Sequence, residues 1–198
     1  MEALQKIEKL LIDNSGIIRT SDAVHAGISR TTLSQLVKAG KLDRVAHGHY
    51  IQSNDFPDDL YLLQQRTKKI IFSHETALFL HDMAERTPFQ NTLTIPSNMK
   101  LSPSISEGVK IYYVKPDYHE LGKCIISSKI GQHKLIAYNA ERTVCDILRS
   151  RNRIDNQTVA AAMKNFATRK EQNWNLLQQY AEIFHVTKLL RQYLEVLS

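Results

Sequence analysis

The sequence predicts an α+β fold: an N-terminal winged helix-turn-helix, then an α+β domain with a helical C-terminal end. Two short capped helix patterns flank Gly27, and an alternating segment surrounds Gly48. A strand-rich middle and a helical end follow. A polar, Pro-containing break at 54–58 marks the domain boundary, so we predict domains at 1–56 and 57–198.

The N-terminal segment has the periodicity of an amphipathic helix. Leu4, Ile7 and Leu11 recur on one side of residues 2–12. Asn, Ser and Gly at 14–16 are typical of a helix stop. We therefore predict the first helix of the winged module here.

Two short helices are predicted next. Thr20 is a suitable N-cap for a helix over 21–26, and Gly27 permits the tight turn that follows. Ser29 can cap a second helix over 30–39. This order of signals is typical of a helix-turn-helix.

The second of these helices has an apolar and a polar face. Its apolar residues, with Leu33 at the centre, should pack against Val24 and Ile28. The other face carries hydrogen-bonding groups and positive charge, which suits the reading of base edges in DNA. We assign base contacts to Arg30, Thr31, Ser34 and Gln35.

Residues 41–51 alternate on either side of Gly48, as a β-hairpin wing would. Basic side chains near its tip would meet the phosphate backbone of duplex DNA. We assign phosphate contacts to Lys38, Arg44, His47 and His49. The alternative for the helix face is an ordinary solvated surface.

The second domain is predicted to be helical at both ends and β-rich between. Its predicted helices span 59–68, 74–83, 140–150, 156–167, 172–184 and 188–197. Its predicted strands span 92–95, 109–114, 124–130 and 133–138. The last two strands should be joined by a turn at Gly131 and Gln132, and residues 96–108 should form a loop.

Composition favours a nucleic-acid partner without proving one. The chain has 198 residues, 26 Lys and Arg and 20 Asp and Glu, hence a formal net charge of +6. Cys124 and Cys145 lack paired metal or redox spacing and are expected to be buried thiols. The sequence contains no signal-peptide pattern or membrane-length apolar run, so we expect no membrane contact and a cytoplasmic protein.

Enzyme motifs are not found, and we expect neither catalysis nor a cofactor. The sequence has no Gly-rich phosphate loop with a following Lys-Ser or Lys-Thr, and no nucleophile elbow. His74 and Glu75 resemble the start of a zinc-protease motif, but Leu78 stands where a second histidine is required. We therefore expect no metal, with capping and packing as the role of this segment. The alternative function is a nucleic-acid-processing enzyme targeted by a winged helix.

Arginines cluster late in the chain. Arg142 and Asp146 have the spacing of a helical ion pair, with an expected stabilisation of about 0.3 kcal/mol. Arg149, Arg151 and Arg153 could complement a helix C-terminus or bind phosphate. A candidate second-domain surface for nucleic acid therefore comprises Arg142, Arg149, Arg151 and Arg153.

Three parts of the sequence together resemble the AbiEi family of abortive-infection antitoxins. They are the glycine pattern of the winged module with Gly48-His49-Tyr50, the segment from Ser73 to His81, and the segment from Ala140 to Arg149. The resemblance runs in order over most of the chain. It implies a bacterial antitoxin of a toxin-antitoxin phage-defence system.

The same resemblance implies the partners. Its winged helix would repress the shared promoter by binding inverted-repeat, double-stranded DNA, and its C-terminal domain would counter a nucleotidyltransferase-like toxin without a stable complex. Inverted repeats are read most simply by two copies of a reader, so a dimer on DNA is expected.

Overall fold

We describe a computed structural model of the chain, which covers residues 2–67, 69–131 and 133–197. The chain forms two compact units. The first unit comprises the chain to Leu63 together with Ser127–Lys134, and the second comprises Gln64–Ile126 and the chain from Leu135 onward. The predicted boundary after residue 56 stays a prediction. The α+β class is confirmed.

The first unit combines helices with a small sheet. Its elements are α1 (Glu2–Asp13), β1 (Ile17–Arg19), α2 (Thr20–His25), α3 (Arg30–Lys38), β2 (Leu42–Ala46), β3 (His49–Gln52) and most of α4 (Asp59–Arg66). The sheet order is β1-β3-β2, and both pairings are antiparallel. The β2–β3 hairpin corresponds to the predicted wing. Strand β1 was not predicted, because three residues are too few to show an alternating pattern.

The core of this module is apolar, as the periodicity predicted. Leu33 of α3 is fully buried beside Ile28 and the β2 residue Leu42. One predicted contact is wrong, because Val24 is 47% exposed and Ala23 is the α2 residue in the core. The two residues are adjacent in the chain, so an error of one position in the predicted buried face of this short helix exchanges the buried residue for the exposed one.

The second unit combines a five-stranded sheet with helices. Its remaining elements are β4 (Ile71–Phe72), α5 (His74–Leu80), β5 (Asn91–Pro96), α6 (Pro103–Ser106), β6 (Val109–Val114), β7 (Lys123–Ser127), β8 (Lys134–Tyr138), α7 (Ala140–Arg149), α8 (Asn156–Ala167), α9 (Trp174–Ile183) and α10 (Thr187–Leu197). The sheet order is β6-β5-β4-β8-β7. β4 runs antiparallel to β5 and parallel to β8, and β5 and β6 are parallel.

Most predicted elements of this unit are present with small shifts at their ends. The short helix α6 lies inside the region predicted as loop, and α5 ends three residues before the predicted limit. The predicted strand over 124–130 ends at Ser127. Lys68, the predicted end of a helix, and Gln132, a predicted turn residue, lie outside the described residues.

Helix α7 is the centre of the helical core. Every residue from Ala140 to Leu148 is buried, including charged ones, and the helix packs against α5, α8 and α9. Asn139 caps it by accepting a hydrogen bond from the backbone N–H of Arg142 at 2.9 Å. Cys145 is buried within this core, and Cys124 is half-buried; both are free thiols.

Candidate nucleic-acid interface

Helix α3 presents the polar face that the sequence predicted. Ser29 caps it by accepting from the backbone N–H of Thr32 at 3.0 Å, and Gly40 follows its end with a φ of 65°. Leu33 fixes the opposite face in the core. The exposed side chains are Arg30, Thr31, Ser34, Gln35 and Lys38.

On this face, the Ser34 side chain forms a hydrogen bond within its own helix. Its hydroxyl donates to the carbonyl of Arg30 at 3.1 Å, one helical turn earlier. Its lone pairs remain available to accept, while the amide of Gln35 can both donate and accept. Such groups along one face of a capped helix are chemically suited to base edges in a major groove.

The start of α2 lies against the tip of the wing. The sequence predicted that the Thr20 side chain would cap α2. In the structure Thr20 is the first residue of that helix, and Arg19 occupies the N-cap position without a side-chain cap. The backbone N–H of Thr20 donates to the carbonyl of Gly48 at 2.8 Å, and its hydroxyl donates to the same atom at 3.3 Å. Gly48 has a φ of 72°, a conformation that suits glycine at this turn. These bonds join the wing to the helical part of the module.

The basic residues of the wing differ in exposure. Arg44 and His47 are exposed, and the Arg44 guanidinium donates to Nδ1 of His47 at 3.1 Å. His49 is half-buried, with its Nδ1 lying 3.0 Å from the carbonyl oxygen of His47. Arg44 and His47 therefore lie together at the wing surface, whereas His49 helps to shape the turn.

Arg19 is a basic residue that the sequence reasoning missed. It pairs with His49 across the β1–β3 ladder and is exposed. Its guanidinium donates to the Tyr61 hydroxyl and lies 5.8 Å from the centre of that ring, and the hydrogen bond raises the pKa of Arg19. The only sequence signal was an isolated arginine before a helix.

Arg142 is not a surface residue, which corrects its place in the candidate second-domain surface. Its side chain is fully buried and bonded to Asp146 at 3.0 Å. The other three arginines of that surface, Arg149, Arg151 and Arg153, are exposed. Periodicity placed Arg142 on the side of α7 opposite the apolar stripe, but neighbouring segments cover that side as well.

The segment from Ser73 has an unusual beginning. Ser73 occupies the N-cap position of α5 but does not cap the helix with its side chain. Its hydroxyl instead contacts Nδ1 of His74 at 2.9 Å and accepts from Thr94 at 2.8 Å. Ala77, Leu78 and other residues of α5 are buried, as the packing role predicts. In the described part of the chain, no group of three or more His, Cys, Asp or Glu side chains could hold a metal ion.

Comparison with known proteins supports the interpretation of the first unit. Residues 5–51 match the family model of the AbiEi antitoxin transcriptional regulators. The matched AbiEi segment contains the body of α1, all of α2 and α3, and nearly the whole wing. The resemblance to AbiEi proteins is thereby confirmed over this segment.

Structural comparison extends over nearly the whole chain. The crystal structure of the RV2827C protein from Mycobacterium tuberculosis matches 98% of this chain and 81% of its own, with a TM-score of 0.55 and 13% sequence identity. At that identity the likeness shows the fold alone. A search of curated protein sequences found no match. Across the described residues, no helix combines the length and apolar character needed to cross a membrane.

Proposed function

We propose that this protein is an antitoxin that represses its own operon by binding inverted-repeat promoter DNA through the winged helix. The AbiEi match over residues 5–51 supports this proposal most directly, because that family consists of antitoxin transcriptional regulators. The exposed polar face of α3 supports it independently. The protein acts in the cytoplasm as a regulator and not as an enzyme.

The division of contacts follows from side-chain chemistry. Arg30, Thr31, Ser34 and Gln35 read base edges, since their groups can donate and accept along one helix face. Phosphate contacts come from Lys38, Arg44, His47 and His49. Two copies bind one operator, with half-sites separated by whole helical turns.

The first test compares operator and random duplexes by fluorescence anisotropy. Gln35→Ala should lower affinity for the operator by about tenfold and leave random DNA unchanged. Lys38→Ala should weaken binding to both duplexes and reduce the salt slope by about one. The matched control is Lys9→Ala, which removes the same charge from the exposed surface of α1 and should change neither quantity. Equal losses on both duplexes for Gln35→Ala and Lys38→Ala would refute this division.

The second unit counters a nucleotidyltransferase-like toxin without forming a stable complex. Co-expression of the full chain with the toxin encoded beside it should restore growth, while size-exclusion chromatography of the mixture should show two separate proteins. Lys38→Ala should lose repression and keep this protection, because the two activities belong to different units. Loss of both activities in that variant would contradict the assignment.

A further inference from the structure

Residues from three parts of the second unit meet around the buried ring of Tyr112. The imidazole of His74 stacks on it, with ring centres 3.4 Å apart and planes inclined by 11°. The guanidinium carbon of Arg153 lies 4.8 Å from the centre of the same ring, and Nζ of Lys110 lies 5.3 Å from it. The ring therefore has an imidazole against one face and two cations nearby, in the range of cation–π attraction.

His74 connects this ring to a hydroxyl at the end of α7. Its Nε2 lies 3.0 Å from the Ser150 hydroxyl, and its Nδ1 is held by Ser73. His74 itself is buried with a φ of 48°, a conformation that non-glycine residues seldom adopt. The surrounding contacts hold the imidazole in place, and the imidazole in turn fixes the half-buried Ser150 hydroxyl.

The charges around His74 do not balance. Burial, together with the positive charges of Lys110 and nearby arginines, holds the pKa of His74 well below its ordinary value, so the ring is neutral near pH 7. The arginines that act on it are Arg142, Arg149 and Arg153. These four cations face two bonded carboxylates, Glu75 on Lys110 and Asp146 between the first two arginines. Four positive and two negative charges leave an excess of two positive charges.

A phosphate monoester matches that excess. It carries a charge of about −1.5 to −2 at pH 7 and three strong acceptor oxygens. The groups that remain accessible are also suited to it: Arg149 and Arg153 are exposed, and a guanidinium can bind phosphate through two parallel hydrogen bonds. The Ser150 hydroxyl can donate or accept beyond its contact with His74.

We propose that Ser150, Arg149 and Arg153 form a binding site for a phosphate monoester, with His74 as the positioning residue that holds the Ser150 hydroxyl. The ligand is a nucleoside monophosphate or free phosphate, which share the recognised group. The site lies in the second unit, so it extends beyond DNA recognition by α3 and stands or fails separately from it.

Titration of the full chain at constant ionic strength tests the site. The probes are AMP, inorganic phosphate and adenosine, and the readouts are the rise in melting temperature and the 15N signal of the His74 imidazole. AMP should give a saturable shift and adenosine none. Inorganic phosphate that binds as well as AMP identifies the free ion as ligand, and tighter AMP binding identifies the nucleotide.

Matched arginine variants separate a defined site from diffuse attraction. Arg153→Gln and Ser150→Ala should each weaken AMP binding by about tenfold or more, the value of one charge-assisted hydrogen bond. Arg191→Gln removes an exposed guanidinium from α10, outside the candidate surface, and should leave binding unchanged. Emission of Trp174, the single tryptophan, confirms that each variant is folded.

Two results would overturn the proposal. If neither AMP nor phosphate showed saturable binding, the excess positive charge would be neutralised by solvent ions alone. An equal loss in Arg191→Gln and Arg153→Gln would show general attraction to a basic protein. Neither result bears on operator binding by α3, so failure here is distinguishable from failure of the proposed function.

Discussion

Arg142 and Asp146 form an ion pair inside the second unit. Nε of Arg142 donates to Oδ2 of Asp146 at 3.0 Å, and both side chains are almost completely buried. Nη1 of Arg142 also donates to the carbonyls of Tyr118 and Leu121 at 3.1 and 3.0 Å. The guanidinium carbon lies 3.9 Å from the ring centre of Phe184. The arginine therefore joins α7 to the segment before β7 and to the end of α9.

Replacement of Arg142 should destabilise the second unit strongly. Arg142→Met removes the charge but keeps much of the side-chain volume, which leaves Asp146 as a buried, less compensated carboxylate. The expected loss in free energy of unfolding is about 3–5 kcal/mol. Urea unfolding followed by the fluorescence of Trp174, a residue of α9, measures it in this unit.

Arg149→Met is the matched control for this substitution. Arg149 lies 3.8 Å from the same carboxylate but is exposed, so its loss should cost at most about 1 kcal/mol. Combining Arg142→Met with Asp146→Leu should recover part of the stability, because the unpaired charge is removed. Equal, small effects of Arg142→Met and Arg149→Met would show that the buried pair contributes little.

The sequence predicted the features that depend on neighbouring residues. The bounds of α8 and β6 agree with the prediction at both ends, and Ser29 caps α3 as its position indicated. Periodicity and capping are local signals, and they act over a few residues. The exposure of the α3 face follows from the same periodicity, whereas its contacts with DNA stay a prediction.

Features that depend on distant residues could not be predicted. Asp58 immediately precedes α4 and accepts a hydrogen bond from the backbone N–H of Tyr61 at 3.1 Å, a local contact at a helix start. It also bonds Nδ1 of His133 at 2.8 Å, which lies 75 positions later in the chain. His74 and Ser150 are separated by 76 positions in the same way. Neither partner carries a sequence pattern that points to the other.

Gly122 should tolerate no side chain. A Cβ at this position would lie 2.7 Å from Cβ of Arg142 and 3.3 Å from the Asn139 amide oxygen that caps α7. Its φ of 77° adds a backbone cost for any L-residue. Gly122→Ala should lower the free energy of unfolding by about 2–4 kcal/mol, the sum of overpacking and backbone strain.

Gly108→Ala isolates the backbone part of that cost. Gly108 has a similar φ of 82°, but no atom lies within 4 Å of the position of its Cβ. Its replacement should cost only about 1 kcal/mol. If urea unfolding showed the same loss of stability in the two variants, the close approach of Gly122 to α7 would add nothing to the cost of Gly122→Ala.

The stability of the second unit should fall below pH 6.5 because of His74. Burial is the main reason that the pKa of His74 lies well below its ordinary value of 6.5 in the folded chain. In the unfolded chain the ring binds a proton as the pH falls through that value, whereas the folded chain excludes it. Between pH 7.5 and 5.5 this group alone should remove about 1.4 kcal/mol of stability.

Urea unfolding at both pH values, with wild-type and His74→Gln protein, measures this contribution as a difference of differences. The variant should lose less stability on acidification than wild-type protein by about that amount. His25→Gln, an exposed histidine of α2, should retain the full loss. The same loss in His74→Gln as in wild-type protein would exclude His74 as the source.

Ser29 should determine the local stability of the DNA-reading helix. Its hydroxyl accepts the otherwise unpaired N–H of Thr32 in the first turn of α3. Ser29→Ala should therefore destabilise the helix start by about 1 kcal/mol, equivalent to a roughly fivefold faster amide exchange in α3. Hydrogen exchange resolved by residue measures this in the first unit, independently of α7.

Two variants show whether the effect comes from the cap. Ser29→Asn keeps an acceptor at the N-cap position and should retain slow exchange. Ser21→Ala removes an exposed hydroxyl that donates to the neighbouring Asp22 carboxylate at 3.1 Å, and should change exchange in α3 very little. Operator affinity should follow the same order, with Ser29→Ala weakest, because a frayed first turn displaces Arg30 and Thr31 from the reading face. Fast exchange in Ser29→Asn as well would mean that α3 is held by its core contacts through Leu33 and not by its cap.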